Sequence, residues 1–419
     1  MSSTIRSIVT QPGLGVVPGQ QILSVGLELA DGYVAWGECV AEPSAQFDVP
    51  AALDSIDKVI RPFLHHRPLT TFRDVTEKLN NLTEIVTLTE TTYPAASQAT
   101  GPSRRDLLRG QFTAVPTPPQ PLTKTYQVER PLLAPLRYGL SQALVQAVAH
   151  ERGQGVADVL VEEYGLVSRK TAVPLHAEIN PLTPLSLEMI VNNPIASIGY
   201  SISGTNPVAE LGQNGEVLQR FARQLKEMLV ETADPPSLSF YFNVRGGYGR
   251  LCGDNLGQIL GMLYGLEKAA EPFLVRVQDP FIFPDQAAQI KNLASLKSYL
   301  QTRKMKLQLV AQSGIHTATA AQALVQADAA HMLHLHLPQM GSLDEGVTAV
   351  QHCQQNNIAV LWGGTPEETE IAARLSMQAA LAVQPDLLLV KLGRLGETAV
   401  SLLHNEMTRQ VVTMGLVKD

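Results

Sequence analysis

The feature that most constrains the fold is a regular alternation of short strand-like runs and longer helical patterns in the second half of the chain. The runs are rich in aliphatic, aromatic and β-branched residues, as is typical of strands. They span 173–178, about 196–200, 238–244, 273–278, 307–312, 332–337, 358–362 and 387–391. Helical patterns such as 255–270, 286–300 and 318–327 separate most of them. Eight strands alternating with helices predict an α/β fold with a parallel (β/α)8-type barrel.

The first part of the chain follows a different pattern. Residues 4–10 and 20–38 predict a small antiparallel sheet, because two alternating runs flank Ala30-Asp31-Gly32, which is a hairpin signal. Helical patterns follow at 49–64 and 70–82. We therefore expect an α+β domain ahead of the barrel.

A segment from about residue 90 to 135 is rich in Thr, Pro, Ser and Gln. A stretch of this length inside a compact domain is either an ordered functional loop or a mobile insertion. We favour a loop that partly covers the mouth of a site. The predicted domains are then 1–135, which includes this insertion, and 136–419, which forms the barrel.

Composition excludes several classes of protein. The formal net charge of −7 and the pI near 5.8 argue against nucleic acid as the main partner. The first residues lack the layout of a signal peptide, and no apolar run reaches the length of a membrane helix. Cys39, Cys252 and Cys353 lie far apart, as expected for reduced thiols. We expect a cytoplasmic protein that acts on a small molecule.

The strand at 332–337 carries the most distinctive side chains. His334 and His336 alternate with Leu333, Leu335 and Leu337, so both imidazoles lie on one face of the strand. Neutral histidine suits acid–base chemistry and metal binding alike. The alternative is a pair of hydrogen-bonded core histidines.

Polar residues also end other predicted strands. Active sites of such barrels lie at the carboxyl ends of the strands, and a structural layer there carries bulky branched residues instead. Counting by twos from the strand ends places the following polar side chains inward: His176, Glu178, Tyr241, Asn243, Arg245, Arg276, Gln278, Gln308, Gln312, His334 and His336. This pattern favours a functional site over a structural layer.

The seventh strand runs into Gly363-Gly364-Thr365-Pro366. Thr365 as N-cap, Pro366 at the first helical position and Glu368 three residues after the cap predict a capping box. The glycines let backbone N–H groups approach a ligand, and a helix N-terminus attracts anions. Gly364 and Thr365 are therefore candidate substrate-binding residues, and an ordinary helix start is the open alternative.

Taken together, several motifs resemble 3-methylaspartate ammonia-lyase, a branch of the enolase superfamily. The resemblance is clear from about residue 137 to 410. It is carried by the segments 137–143 (RYGLSQA), 240–246 (FYFNVRG), 272–280 (PFLVRVQDP), His331-Met332, Gly363-Gly364-Thr365 with Glu368-Thr369, and 405–409 (NEMTR). It implies an enolase-like barrel, an N-terminal α+β capping domain and a homodimer.

The activity of that family does not carry over directly. Its members hold Mg²⁺ with Asp, Glu and Asp at the ends of the third, fourth and fifth strands, where this chain has Asn243, Gln278 and Gln312. Mg²⁺ is a hard cation that binds through carboxylates, and three neutral amides offer it no charge. We expect no Mg²⁺ at this site.

The resemblance also assigns other site positions. His336 stands where the family has its lysine base, and His334 replaces the neighbouring amide ligand. Glu178 matches the substrate-contacting glutamine of the first strand, and the opposing histidine acid/base falls near Ser201.

Three functions follow as hypotheses. The first is a Mg-independent lyase or isomerase on a small carboxylate-bearing substrate, with His336, or His336 and His334 together, as acid/base. Arg245 and Arg276 would neutralise substrate carboxylate or developing charge, and the alternative for them is a salt bridge to Asp279 or Glu178. The amides of Asn243, Gln278 and Gln312, and the side chains of Glu178 and His176, would complete substrate binding.

The second hypothesis is a rebuilt site for Zn, Fe or Ni that uses His334, His336 and Glu178, or His176 in place of Glu178. The third is a catalytically silent pseudoenzyme that serves as a binding subunit. Amides at all three acid positions favour a site adapted to another function over a site that has lost its function.

Overall fold

We describe the chain from a computed structural model, which covers residues 4–15, 20–41, 47–92, 122–179, 193–229, 238–253, 255–365, 368–390 and 398–414. The chain divides into two compact units. One comprises Met1–Asn80 together with Leu133–Asp419, and the other comprises Asn81–Leu132. Among the helices in these described ranges, none has both the length and the apolar character that crossing a membrane requires.

The larger unit begins with a three-stranded antiparallel sheet, ordered β1-β2-β3. Its strands are β1 (Ile5–Leu14), β2 (Gln21–Leu29) and β3 (Val34–Val40). The β2–β3 turn closes through a Gly32 N–H donated to Leu29 O at 3.0 Å and a Leu29 N–H donated to Tyr33 O at 2.8 Å. Gly32 has φ +89°, a conformation that glycine adopts at no steric cost. The predicted hairpin is confirmed.

Helical structure follows the sheet. It comprises α1 (Val49–Ser55), a π-helical turn (Ile56–Ile60), α2 (Arg61–Leu64) and α3 (Phe72–Asn80). The Asp48 carboxylate caps α1 by accepting the Ala51 N–H at 3.0 Å. The helical patterns predicted at 49–64 and 70–82 are both present.

The smaller unit contains a two-stranded antiparallel sheet of β4 (Thr83–Thr92) and β5 (Leu122–Pro131), in register from Thr83↔Pro131 to Thr92↔Leu122. These strands were not predicted, because their apolar residues form no buried face: Ile85 is 71% exposed. Within the segment predicted as a loop, about 90–135, residues 90–92 and 122–131 belong to these strands, and 93–121 lie outside the described residues. The domain boundary at 135 stays a prediction.

The predicted barrel is present as a closed ring of eight parallel strands. They are β6 (Leu175–Glu178), β7 (Ile195–Ser201), β8 (Ser239–Asn243), β9 (Leu274–Gln278), β10 (Gln308–Ala311), β11 (Met332–His336), β12 (Ala359–Gly363) and β13 (Leu387–Leu389). Consecutive strands are neighbours, and β13 pairs with β6 to close the ring. Tyr241, Val310, Met332, Leu361, Leu387 and Leu389 pack together as a buried cluster in the interior.

Helices surround and connect these strands. They are α4 (Ala134–Arg152), α5 (Val156–Tyr164), α6 (Pro207–Leu211), α7 (Glu216–Leu229), α8 (Gly247–Cys252), α9 (Leu256–Ala270), α10 (Gln286–Thr302), α11 (Ala318–Gln326), α12 (Leu337–Met340), α13 (Leu343–Gln355), α14 (Glu370–Val383) and α15 (Thr398–Thr413). Asparagine, aspartate, serine and threonine cap six of them: Asn206, Asn255, Asp285, Thr317, Ser342 and Thr369 accept a backbone N–H of the first turn.

The predicted cap at Thr365 is wrong. Helix α14 begins at Glu370, and its N-cap is Thr369, whose hydroxyl accepts the Ala372 N–H at 3.4 Å. The Glu368 carboxylate does accept the Thr365 N–H at 3.1 Å, but it also accepts the Tyr138 hydroxyl of α4 at 3.1 Å. This anchored carboxylate belongs to the segment that precedes the helix, so the helix starts later than the capping-box pattern indicates.

Strand β3 and helix α4 approach each other closely at two glycines. A Cβ on Gly37 would overlap the Gly139 carbonyl oxygen, and a Cβ on Gly139 would lie 2.6 Å from Cys39 Sγ. Overpacking against backbone cannot be relieved by a rotamer change. We therefore expect Gly37→Ala to lower the free energy of unfolding by about 3 kcal/mol or more, measured by urea denaturation.

Gly261→Ala is the matched control for this variant. Gly261 lies in α9, and a Cβ there meets nothing within 4 Å. Its substitution should raise stability by about 0.5–1 kcal/mol, because alanine is the better helix former. Equal stability of the Gly37→Ala variant and the wild type would contradict the close approach of β3 and α4.

Candidate active site at the barrel mouth

His334 and His336 lie at the carboxyl end of β11, as the alternation predicts. Their side chains are 6% and 3% exposed, and their ring centroids are 6.4 Å apart. In the ladder with β12, His336 pairs with Gly363. A Cβ on Gly363 would lie 3.2 Å from His334 Nε2, so the glycine leaves room for that ring. Two imidazoles are thus held side by side near the strand end.

Gln278 connects His334 to the neighbouring strands. Its side-chain oxygen Oε1 accepts the Tyr241 hydroxyl and lies 3.0 Å from His334 Nδ1. An amide oxygen can only accept, so neutral His334 carries its proton on Nδ1 and its lone pair on Nε2. Burial raises the pKa of Tyr241 well above its usual value, so the phenol stays protonated and donates.

The amide contacts continue from Gln278 to two further glutamines. Gln278 Nε2 donates to Gln312 Oε1 at 3.1 Å, and Gln312 Nε2 donates to Gln339 Oε1 at 3.1 Å. Gln339 lies on the short helix α12 directly after β11. Gln339 was not predicted as a site residue, because counting by twos ends with the strand. Its proximity to His336 in the sequence was the available signal.

Asp279 positions Gln312 through the backbone. Its buried carboxylate accepts the Gln312 N–H at 3.0 Å and the Ser313 hydroxyl at 3.0 Å. Burial raises the pKa of this carboxyl group. Asp279 has φ +44°, an uncommon conformation for a residue other than glycine. Its hydrogen bonds to Gln312 and Ser313, which directly follow β10, and not a salt bridge to Arg276, therefore account for this carboxylate.

Asn243 ends β8, and its Oδ1 accepts the Arg245 N–H at 3.1 Å. Arg245 lies beyond the strand, with φ +45° and an exposed side chain. It approaches the loop after β7, where a Cβ on Gly204 would lie 3.4 Å from Arg245 Cβ. Arg245 is therefore on the rim and not inside the barrel, because the chain turns immediately after Asn243.

Arg276 points away from the histidines. Its guanidinium donates to Gln308 Oε1 at 3.0 Å and to Ser239 Oγ at 2.5 Å, and both partners begin their strands. The expectation that Arg276 meets the substrate at the mouth is therefore corrected. An arginine in the middle of a strand has a side chain long enough to reach the amino-terminal end of its neighbours.

His176 lies below the mouth. It is fully buried, its Nδ1 lies 2.9 Å from Ser197 Oγ, and its ring packs 4.6 Å from that of Tyr241. Burial, and next the positive charge of Arg276, lower its pKa to about 3, so it is neutral at ordinary pH. Glu178 is nearer the strand end and accepts the Ser201 hydroxyl at 3.1 Å. Ser201 is thus close to the site, as the resemblance implies.

The amide oxygens at the mouth are already engaged as acceptors. Those of Gln278, Gln312 and Asn243 each accept at least one protein donor. Within the described ranges, no three His, Cys, Asp or Glu side chains are arranged to share one metal ion. Gly364 and Thr365 follow β12 and are buried. The site is polar and built mainly of neutral groups.

Comparisons with known proteins agree on one relationship. The family described as methylaspartate ammonia-lyase C-terminus matches residues 200–415, more than half of the chain. Methylaspartate ammonia-lyase 1 of Carboxydothermus hydrogenoformans is 26% identical over 412 residues, which are 96% of this chain and 88% of that protein.

Two solved structures show the same fold. Citrobacter amalonaticus methylaspartate ammonia lyase, containing (2S,3S)-3-methylaspartic acid, has a TM-score of 0.78 at 21% identity and covers 98% of this chain and 99% of its own. Muconate cycloisomerase from Pseudomonas fluorescens has a TM-score of 0.63 at 15% identity, with 94% and 89% covered.

The buried neutral His176 makes stability depend on pH. Between pH 6.5 and about 3 the unfolded chain binds a proton at this residue that the folded protein does not bind. Stability therefore falls as the pH is lowered through this range. In His176→Gln, the slope of the unfolding free energy against pH from 4.5 to 6 should decrease by up to about 1.4 kcal/mol per unit.

Urea denaturation at several pH values measures this slope. His316→Gln, at an exposed loop position, is the control for loss of one histidine. An identical slope in wild type and His176→Gln would show that His176 is protonated in the folded protein.

Proposed function

The chain belongs to the methylaspartate ammonia-lyase family, a branch of the enolase superfamily, and from this premise we propose that it is a Mg-independent lyase or isomerase. The substrate would be a small carboxylate-bearing molecule. His336 and His334 would act as the acid/base pair. The observation that carries the proposal is that buried His334, which shares a strand face with buried His336, is hydrogen-bonded to a linked group of amides.

The residues present do not fit Mg²⁺. The resemblance places its ligands at Asn243, Gln278 and Gln312, and none of them carries a charge. A divalent ion in a partly buried site must recover its hydration energy from ligands, which is why Mg²⁺ binds through carboxylates. The oxygens of these amides also accept protein donors already. We therefore derive no catalytic step through a metal.

The histidine pair supports proton transfer next to a carboxylate. Neutral His334 presents Nε2 as its basic atom, because Nδ1 donates to Gln278. By the resemblance, His336 occupies the position of the family's lysine base, and histidine is the side chain that most often serves as a general acid or base. In the proposed step His336 takes a proton from the carbon next to the carboxylate.

The electron pair of the broken C–H bond can then follow either of two courses. In a lyase, the C–H electron pair forms a carbon–carbon double bond as the adjacent C–N bond breaks, and the amine leaves with a proton from the conjugate acid. In an isomerase, the proton returns to the carbon skeleton and no bond to nitrogen breaks. In both cases the carboxylate oxygens carry extra negative charge, which amide N–H groups can stabilise in a dry site.

Two alternatives remain part of the test. A binding subunit without turnover is favoured by one observation, namely that the glutamines satisfy one another. A Zn, Fe or Ni site using His334, His336 and Glu178 requires these side chains to converge, and the described residues form no such group. Assembly as a homodimer and a cytoplasmic location rest on the resemblance and on composition, and they belong to the same proposal.

Proton exchange tests the function without knowledge of the product. The protein is incubated in D2O with EDTA and with (2S,3S)-3-methylaspartate, aspartate or succinate, and NMR follows the loss of the proton next to each carboxylate. We expect exchange with at least one compound. His336→Gln should slow it at least about 100-fold, because general bases contribute 10²–10⁴-fold.

The matched control is His352→Gln, in the last turn of α13. It should exchange at the wild-type rate. Saturable binding without exchange in the wild type would overturn the enzymatic proposal and support a binding subunit.

Metal dependence gives a separate prediction. Isothermal titration of the wild type with millimolar Mg²⁺ should give no binding heat. The triple variant Asn243→Asp/Gln278→Glu/Gln312→Asp should gain Mg²⁺ binding, because it restores three carboxylates.

Total-metal analysis of the purified wild-type protein should find no stoichiometric Zn, Fe or Ni. One equivalent that disappears in His334→Ala/His336→Ala would establish the transition-metal alternative instead.

A further inference from the structure

The glutamines at the mouth form a directed series of hydrogen bonds, which we call the amide relay and define as Gln278, Gln312 and Gln339. Gln278 and Gln312 each accept through Oε1 and donate through Nε2 to the next glutamine, and Gln339 accepts through Oε1. The two bonds within the relay measure 3.1 Å each. All three amide dipoles therefore point the same way along the series.

The direction of the amide relay is set at its buried end. Gln278 is 1% exposed, and its Oε1 meets two donors, the Tyr241 hydroxyl and His334 Nδ1–H. With both lone pairs of this oxygen engaged, the Gln278 amide must turn its N–H groups towards Gln312. In this orientation Gln278 Nε2 donates to Gln312 Oε1, which sets the direction of the rest of the relay.

Gln339 is the outer end of the relay. Its Oε1 accepts from Gln312, and its side chain is half-buried on α12, three residues after His336. Among the described residues, none accepts a hydrogen bond from Gln339 Nε2. Bonds in a chain of amides polarise one another, which strengthens the terminal donor. The amide relay therefore ends in a polarised N–H donor on α12, the helix that directly follows His336 in the chain.

We propose that Gln339 Nε2 binds a carboxylate oxygen of the substrate, which makes Gln339 a binding residue of this site. The inference rests on the proposed function and names the group that orients the substrate. A carboxylate is the ligand class that fits this N–H donor. Its oxygens only accept hydrogen bonds, and a hydrogen bond to a charged acceptor is stronger than one between neutral groups. Gln278 and Gln312 donate within the relay, whereas Gln339 Nε2 is the donor at its outer end.

Two variants of Gln339 separate binding from folding. Gln339→Leu removes the donor. Gln339→Glu keeps the size of the side chain and can still accept from Gln312 Nε2, but it replaces the N–H donor with a charged oxygen. The probes are succinate and (2S,3S)-3-methylaspartate, titrated by calorimetry into the full-length protein.

We expect the Leu variant to bind the probe about 10- to 100-fold more weakly than wild type, because hydrogen bonds to charged groups contribute about 1.5–3 kcal/mol. The Glu variant should bind more weakly still, because two negative groups would then meet. Gln326→Leu, at an exposed position of α11, is the matched control and should bind like wild type. Thermal unfolding of each variant checks that it is folded.

The outcomes distinguish this inference from the proposed function. Weakened probe binding in both folded Gln339 variants supports the inference, whether or not the wild type exchanges protons. Wild-type affinity in the Glu variant overturns it, even if proton exchange establishes the enzyme. A wild-type protein that binds neither probe also overturns it.

Discussion

The site depends on closure of the barrel. Parallel pairing of β13 with β6 completes the ring, so that the carboxyl ends of all eight strands share one rim. Gln278 and His334 are 56 residues apart in the sequence, yet they contact each other at 3.0 Å. They meet because β9, β10 and β11 are consecutive neighbours in the ring. Loss of any one of these strand pairings would separate the histidines from the amides.

Gln278 and Gln312, which are hydrogen-bonded to each other at the mouth, carry no formal charge. Three carboxylates held close together in a low dielectric require a cation to offset their repulsion and their desolvation. Amides of nearly the same shape require only hydrogen bonds, and Gln278 and Gln312 supply these to each other. Amides at these two positions therefore form an ordered set of donors and acceptors.

The charged and titratable groups that remain in the interior lie at different depths. Arg276 reaches the amino-terminal ends of its neighbouring strands through Ser239 and Gln308. This cation and full burial keep His176 neutral at ordinary pH. Asp279, at the opposite end of β9, uses its carboxylate to hold the backbone of Gln312 and Ser313. The positive charge therefore contributes to the barrel's lower layer, and the neutral amides face the mouth.

By itself, the sequence determined that eight strands alternate with helices, that His334 and His336 share a face, and that amides stand at Asn243, Gln278 and Gln312. These features follow from residue type and period, which are local. Only the tertiary structure decided that Arg276 points down, that α14 is capped by Thr369, and that Gln339 extends the amide relay. A period of two assigns a side chain to one face of a strand. The depth of that side chain in the barrel, and its hydrogen-bond partner, depend on which neighbours the closed ring brings within hydrogen-bond distance.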